Sequence, residues 1–218
     1  MRRKNGEGSS RRLLPLLVLT DRCQAVRLGL VATVAAAVEA GARAVVLREK
    51  DLPRLAREEL AAALQAVLAP VGGVLVLAGP DVGLARATGA QGVHLGAADP
   101  WPVERHGLMV GRSCHDQAEV RAATDEGADY ASVSPVLPSP SKPGYGPALG
   151  MGGLRAMTAA TDLPLFALGG VSEGSAADCL AAGAAGVAVM GEVMASEDPA
   201  TAVARLLVAL APVHCGPL

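Results

Sequence analysis

Apolar runs of strand length recur eight times along the chain, at 16–19, 44–47, 74–77, 92–95, 109–112, 130–133, 165–168 and 187–190. Segments of helical composition separate them, at 31–40, 52–69, 117–126, 149–160, 175–182 and 199–210, with shorter ones at 82–88 and 102–106. Strict alternation of strand and helix implies a parallel sheet. A repeated mark, Gly41-Ala42, Gly89-Ala90, Gly127-Ala128 and Gly183-Ala184, stands between a helix and the strand that follows. Glycine ends helices in the left-handed conformation, so these turns belong to one rim and function to the other. An open doubly wound sheet would want a glycine-rich phosphate turn after the first strand, which instead ends Thr20-Asp21-Arg22. The expected architecture is a closed (β/α)8 TIM barrel in a single domain at 13–212. Residues 1–12 are expected to be a polar, disordered tail and 213–218 a short C-terminal one.

Composition removes several classes of partner. Hydrophobic residues make up 51% of the 218 positions, yet the aromatics are Trp101, Tyr130, Tyr145 and Phe166, so Ala, Val and Leu must do the packing. That argues against an aromatic platform for single-stranded nucleic acid, and a net charge of −2 gives no pull on a polyanion. Cys23, Cys114, Cys179 and Cys215 form no CxxC pair and no compact disulfide framework, so a reducing cytoplasm is the simplest setting. Arg11-Arg12 before an apolar run resembles a twin-arginine signal, but the run ends at Leu19, is broken by Pro15, and has no small-residue cleavage site before Asp21. It reads as a first strand, and no later stretch is expected to span a membrane.

Chemistry is expected where the strands end. Gly169-Gly170 after the seventh run and Met190-Gly191 after the eighth can turn backbone N–H groups into a concavity, a cradle for one phosphate; tight turns alone are the plainer alternative. After the second run comes Arg48-Glu49-Lys50-Asp51, in which alternation puts Arg48 and Lys50 on one face, suited to two cations converging on a phosphate or diphosphate. The alternative is a solvated charge run opening the next helix. After the fifth run, Ser113 and His115 share a side and Cys114 faces away, which disfavours a Cys–His dyad and leaves His115 as an acid/base at the mouth. His94 reads as structural, and His106 and His214 as surface residues. The long loop from Ser134 to Gly150 offers Ser139, Ser141 and Lys142 to close over an anion, unless it is an ordinary Pro/Gly-rich loop. Asp99 is the one carboxylate near the fourth strand end that invites Mg²⁺, and one carboxylate is weak evidence for a metal.

Together these residues resemble the thiamin phosphate synthase and TenI superfamily. The matching pieces are LTD at 19–21, LREKD at 47–51, GVHLG at 92–96, GRSCH at 111–115, GADY at 127–130, SPVLPSPSK at 134–142, ALGGV at 167–171 and GAAGVAVMGEV at 183–193. The resemblance implies a (β/α)8 barrel and a small phosphorylated thiazole as substrate. In the synthase branch it implies joining of hydroxymethylpyrimidine diphosphate to thiazole phosphate, with Mg²⁺ bound and pyrophosphate released. That branch carries a glutamine before LREK, Asn-Asp after strand three, Gln-Glu-Asp after strand four and two lysines in the long loop; here stand Val46, Gly79-Pro80, Ala97-Ala98-Asp99 and Lys142-Pro143. Most of the diphosphate and metal set is missing, so the expectation falls on the TenI-type branch: an isomerase that tautomerises a thiazole carboxylate phosphate without a cofactor. There His115 would be the acid/base and Ser113 would orient the ring. The backbone at Gly169, Gly170, Met190 and Gly191 would hold phosphate, and Arg48, Lys50 and Lys142 would neutralise anionic groups. The synthase, with Asp99, alone or joined by Asp81, on Mg²⁺, and a non-catalytic thiazole-phosphate binding protein are the alternatives; a homodimer built on barrel helices is compatible with each.

Overall fold

A computed structural model describes residues 15–138 and 147–211. Both expected tails, the polar one at 1–12 and the one at 213–218, fall outside the described residues, as do Ser139, Ser141 and Lys142. The strands are β1 (Leu16–Leu19), β2 (Ala44–Leu47), β3 (Val74–Ala78), β4 (Gly92–Leu95), β5 (Met109–Cys114), β6 (Tyr130–Val133), β7 (Leu165–Leu168) and β8 (Gly186–Val189). The helices are α1 (Leu30–Glu39), α2 (Arg54–Leu68), α3 (Val82–Ala87), α4 (Gln117–Asp125), α5 (Gly150–Thr158), α6 (Glu173–Ala181), α7 (Gly191–Met194) and α8 (Pro199–Leu210). All strand pairs are parallel and β8 closes on β1, so the sheet is a barrel in chain order.

The strands are apolar throughout because both their faces are buried. Leu16, Val18, Val45, Leu47, Val93 and Leu95 face the helices, whereas Leu17, Leu19, Ala44, Val46, Val76, Ala78 and Ala188 fill the barrel. Two rings, Tyr130 and Phe166, meet edge-on in that interior at 5.6 Å. The glycine–alanine mark works as expected. At each copy the alanine N–H reaches back five residues and the glycine N–H three: Ala42 to Ala37 and Gly41 to Val38, repeated at 89–90, 127–128 and 183–184. The four glycines have φ between 69° and 114°, so helix ends on that rim share one backbone solution.

Three expectations need correction. Residues 102–106 form no helix: His106 and Gly107 turn left-handed, φ 48° and 77°, and five residues cannot offset the nucleation cost of a helical turn. Strand β5 runs two residues further than its apolar run, so Ser113 lies within the strand. Strand β8 starts one residue earlier than expected, which leaves Met190 as the residue before the short helix α7. Among the described residues, no helix is long and apolar enough to cross a membrane.

Candidate active site

The inward parity of each strand continues past its end and decides which side chains meet at the mouth. On β2 the inward residues Ala44 and Val46 lead to Arg48 and Lys50, while Glu49 turns the other way and is buried. The Thr20 hydroxyl donates to Glu49 Oε1 at 2.9 Å, and accepts from the Arg48 N–H at 2.9 Å. Arg22 adds its own N–H and guanidinium to Glu49 and pairs bidentately with Asp51. The run is therefore a latch between two loops, and α2 begins only at Arg54. Glu49→Ala would leave the buried Thr20 hydroxyl without an acceptor; a loss of about 1–3 kcal/mol in urea denaturation is expected.

Arg48 and Lys50 share a face but reach different neighbours. Arg48 lies against Met190 Sδ at 2.9 Å, next to the glycine turn of β8. Lys50 crosses to β4, where its Nζ donates to Asp99 Oδ2 at 3.0 Å. The same Oδ2 accepts the Gly96 N–H at 2.7 Å. Burial pushes the Asp99 carboxyl up, but the Gly96 amide, Lys50 and Arg112 together hold it below the usual carboxylate range. Arg112 braces this loop from outside the barrel, donating to the carbonyls of Gly96 and Asp99 while stacking on Trp101.

Asp81 does not join Asp99. It caps α3 through the Leu84 N–H, pairs with Arg54, and lines a shallow outer cleft with Pro102, Val103 and Glu104. Among the described residues, no three His, Cys, Asp or Glu side chains group tightly enough to hold a metal. Mg²⁺ commonly takes one or two carboxylates and completes its shell with substrate phosphates and water. The donor set therefore fits an ion carried in by a diphosphate and touched by Asp99, and does not fit an ion held by protein alone.

On the far side of the mouth, Gly169 and Gly170 have φ 92° and 65°. A Cβ on Gly170 would stand 2.4 Å from the Pro138 carbonyl oxygen, because residues 136–137 pair with Leu168 and Gly169 and press the start of the long loop onto this turn. Close approach of that loop thus requires the glycine. Helix α6 follows at once, with Ser172 donating its N–H to Ser175 Oγ at 3.0 Å.

His115 stands at the end of β5. Its Nδ1 lies 2.7 Å from the Ser134 carbonyl, which can only accept, so Nδ1 carries the proton and Nε2 the lone pair. Cys114 is wholly buried, and burial pushes its thiol up to about 12, with Glu119 adding to the shift.

Sequence reading missed what lies beneath. Ser113 turns down to His94, with Oγ 3.0 Å from Nε2; Ser132 Oγ lies 3.2 Å from the same nitrogen, and Tyr130 OH is 2.9 Å from Nδ1. Strand parity was the available signal, since Gly92-His94, Gly111-Ser113 and Tyr130-Ser132 face inward in adjacent strands. Burial, then the charge of Lys50, holds the His94 imidazole down to about 4 from 6.5. Between those values the unfolded chain binds a proton here that the folded one does not, so stability falls as pH falls through that window. Relative to His94→Gln, the wild type should lose about 3 kcal/mol on going from pH 7 to pH 4 in denaturant titrations.

Residues 16–193 match the family described as thiamine monophosphate synthase. A Geobacter sulfurreducens protein provisionally named a thiamine-phosphate synthase is 43% identical over 202 residues, covering 90% of this chain and 94% of its own. The thiamine-phosphate synthase of Albidiferax ferrireducens is 38% identical and covers 88% and 90%. Among solved structures, a thiamine phosphate pyrophosphorylase from Pyrococcus furiosus superposes with a TM-score of 0.80 at 30% identity, covering 90% of this chain and 95% of that one.

Proposed function

The chain belongs to the thiamine monophosphate synthase family, and from that premise we propose that it joins hydroxymethylpyrimidine diphosphate to a thiazole phosphate and releases pyrophosphate. The expectation of a TenI-type tautomerase rested on the departures at Val46, Gly79-Pro80, Ala97-Ala98-Asp99 and Lys142-Pro143; the relatives bearing synthase names support the alternative better. The observation that carries the synthase reading is the Lys50–Asp99 pair facing the mouth, a cation and a carboxylate at hydrogen-bond distance. A diphosphate that arrives with Mg²⁺ offers a partner to each. In the reaction the bond from the pyrimidine methylene carbon to the diphosphate oxygen breaks, and the thiazole nitrogen forms a new bond to that carbon. The electron pair departs on pyrophosphate. Mg²⁺ on the diphosphate would supply charge neutralisation of that leaving group. Lys50 would add its positive charge where negative charge develops, and Asp99 would touch the ion. Arg48, against Met190, sits beside the Met190-Gly191 turn, which with Gly169-Gly170 would hold the thiazole phosphate. The test is incubation with both substrates and Mg²⁺: thiamine phosphate should form only when all are present, and absence of product with both substrates bound would leave a binding protein.

One observation favours the second reading, thiazole tautomerisation. The Ser134 carbonyl fixes the His115 tautomer with its basic lone pair on Nε2, as a proton shuttle requires. On that reading His115→Asn should lower tautomerisation by about 10²–10⁴-fold while leaving thiazole phosphate affinity within about twofold of wild type.

A further inference from the structure

We propose that Arg112 is a positioning residue: from outside the barrel it holds the turn from Gly96 to Asp99 so that the Asp99 carboxylate faces the mouth and meets Mg²⁺ on a bound diphosphate. The ligand is that of the synthase reading, on which the inference rests. Arg112 lies on the outward side of β5, because Gly111 and Ser113 face inward. Its strand neighbours on that side, Val110 and Cys114, are wholly buried, as is Leu95, its partner on β4. The Arg112 side chain is itself only 11% exposed. A guanidinium in such a layer costs desolvation that an apolar side chain would avoid, so its value lies in where its donors go.

Two of them go to one turn. Arg112 Nη1 donates to the carbonyl of Gly96, at 3.0 Å, and to that of Asp99, the first and last residues of the turn. The turn also closes on itself, the Asp99 N–H donating to the Gly96 carbonyl at 3.0 Å and the Gly96 N–H to Asp99 Oδ2 at 2.7 Å. Its tip offers no anchor, since Ala97 and Ala98 are exposed and end at Cβ. A loop with so little of its own packed beneath it opens locally at small cost. Arg112 supplies the attachment, and the Trp101 ring, just past the turn, lies 5.9 Å from the guanidinium carbon. Arg112 Nη2 pairs with Glu126 at 3.1 Å, but Glu126 is partly exposed and an ion pair of that kind contributes little. With the turn fixed, Asp99 Oδ2 stands 3.0 Å from Lys50 Nζ, facing the mouth. Groups that orient a metal ligand from behind commonly contribute about 10–100-fold to metal affinity.

The test uses inorganic pyrophosphate and Mg²⁺, titrated calorimetrically. Arg112→Met keeps an apolar stem and removes the donors; the Mg²⁺ concentration for half-maximal pyrophosphate binding should rise about tenfold or more. Arg112→Lys keeps the charge without the planar fork, serves should the first variant fail to fold, and should recover only part of the loss. Glu126→Gln removes the ion pair but leaves an oxygen for Nη2, so it should stay within about twofold of wild type. In an Asp99→Ala background, Arg112→Met should cost nothing further. An unchanged Mg²⁺ requirement in Arg112→Met, an equal loss in Glu126→Gln, or losses that add in the double variant would overturn the proposal and leave Arg112 a structural residue. The synthase reading is judged apart, by thiamine phosphate. Product formed by Arg112→Met at the wild-type Mg²⁺ requirement removes the positioning role and keeps the synthase. Pyrophosphate and Mg²⁺ binding that depends on Arg112, without product, keeps the role and removes the synthase. A wild type that binds no pyrophosphate with Mg²⁺ overturns the positioning role outright.

Discussion

Lys50→Ala is expected to lower kcat/KM for thiamine phosphate formation by about 10²–10³-fold, the size of effect seen when one preorganised charge-stabilising donor is removed from a transition state. The reason lies in the geometry of β2. Thr20, Glu49 and Arg22 hold the strand end rigidly, so Lys50 reaches Asp99 at 3.0 Å from a fixed base. Charge that develops on a departing diphosphate would then meet a cation already oriented. The loss should fall on kcat more than on KM, and Lys50→Arg should recover part of it. Asp99→Asn separates the two halves of the pair. If the carboxylate serves only to orient Lys50, the variant loses activity without changing its dependence on Mg²⁺; if it touches the ion, the Mg²⁺ concentration for half-maximal rate rises about tenfold or more. An unchanged kcat/KM in Lys50→Ala would remove the diphosphate role from this end of the mouth.

Gly111→Ala should be among the most damaging single methyls in the barrel. Its Cβ would lie 2.2 Å from Tyr130 Cζ and 2.5 Å from the phenolic oxygen, and the ring has no room to retreat because Phe166 packs against it edge-on. Overpacking of this kind costs about 1–3 kcal/mol or more, and at about 2–4 °C per kcal/mol a fall in Tm of roughly 5–10 °C is expected. Gly72→Ala is the matched control. Gly72 has φ 63° but nothing within 4 Å of an added Cβ, so it reports backbone strain alone, about 1–2 kcal/mol. Equal melting temperatures for the two variants would mean that the interior yields to the methyl and that Tyr130 is not held as described.

Much of the fold was legible because strands buried on both faces must be apolar at every position, and because Gly41, Gly89, Gly127 and Gly183 each solve the same helix-ending problem. Where apolar content lapses, legibility lapses with it. Strand β5 continues through Ser113 and Cys114, whose pairing to Ser132 and Val133 comes from the sheet and leaves no mark in local composition. His94 was readable as structural, but its partners arrive from β5 and β6 and are visible only once the strands are set in register. At the mouth, Arg48, Lys50 and Asp99 were named as candidates from strand-end position alone. Their convergence on one anion was not what emerged, since Met190 and Asp99 draw the two cations to opposite sides. The preference for a tautomerase followed from counting absent metal ligands. A cation that arrives on a substrate diphosphate needs few of them, so that count discriminated less than it promised.

The most direct measurement is the rate of both candidate reactions in one preparation of the wild-type protein: thiamine phosphate formation from hydroxymethylpyrimidine diphosphate and thiazole phosphate with Mg²⁺, and tautomerisation of the thiazole carboxylate phosphate without it. The expected result is thiamine phosphate and pyrophosphate appearing in equal amounts, with the synthase reaction the faster by kcat/KM. Tautomerisation with no thiamine phosphate, lost in His115→Asn, would contradict the synthase reading and restore His115 to the centre of the site.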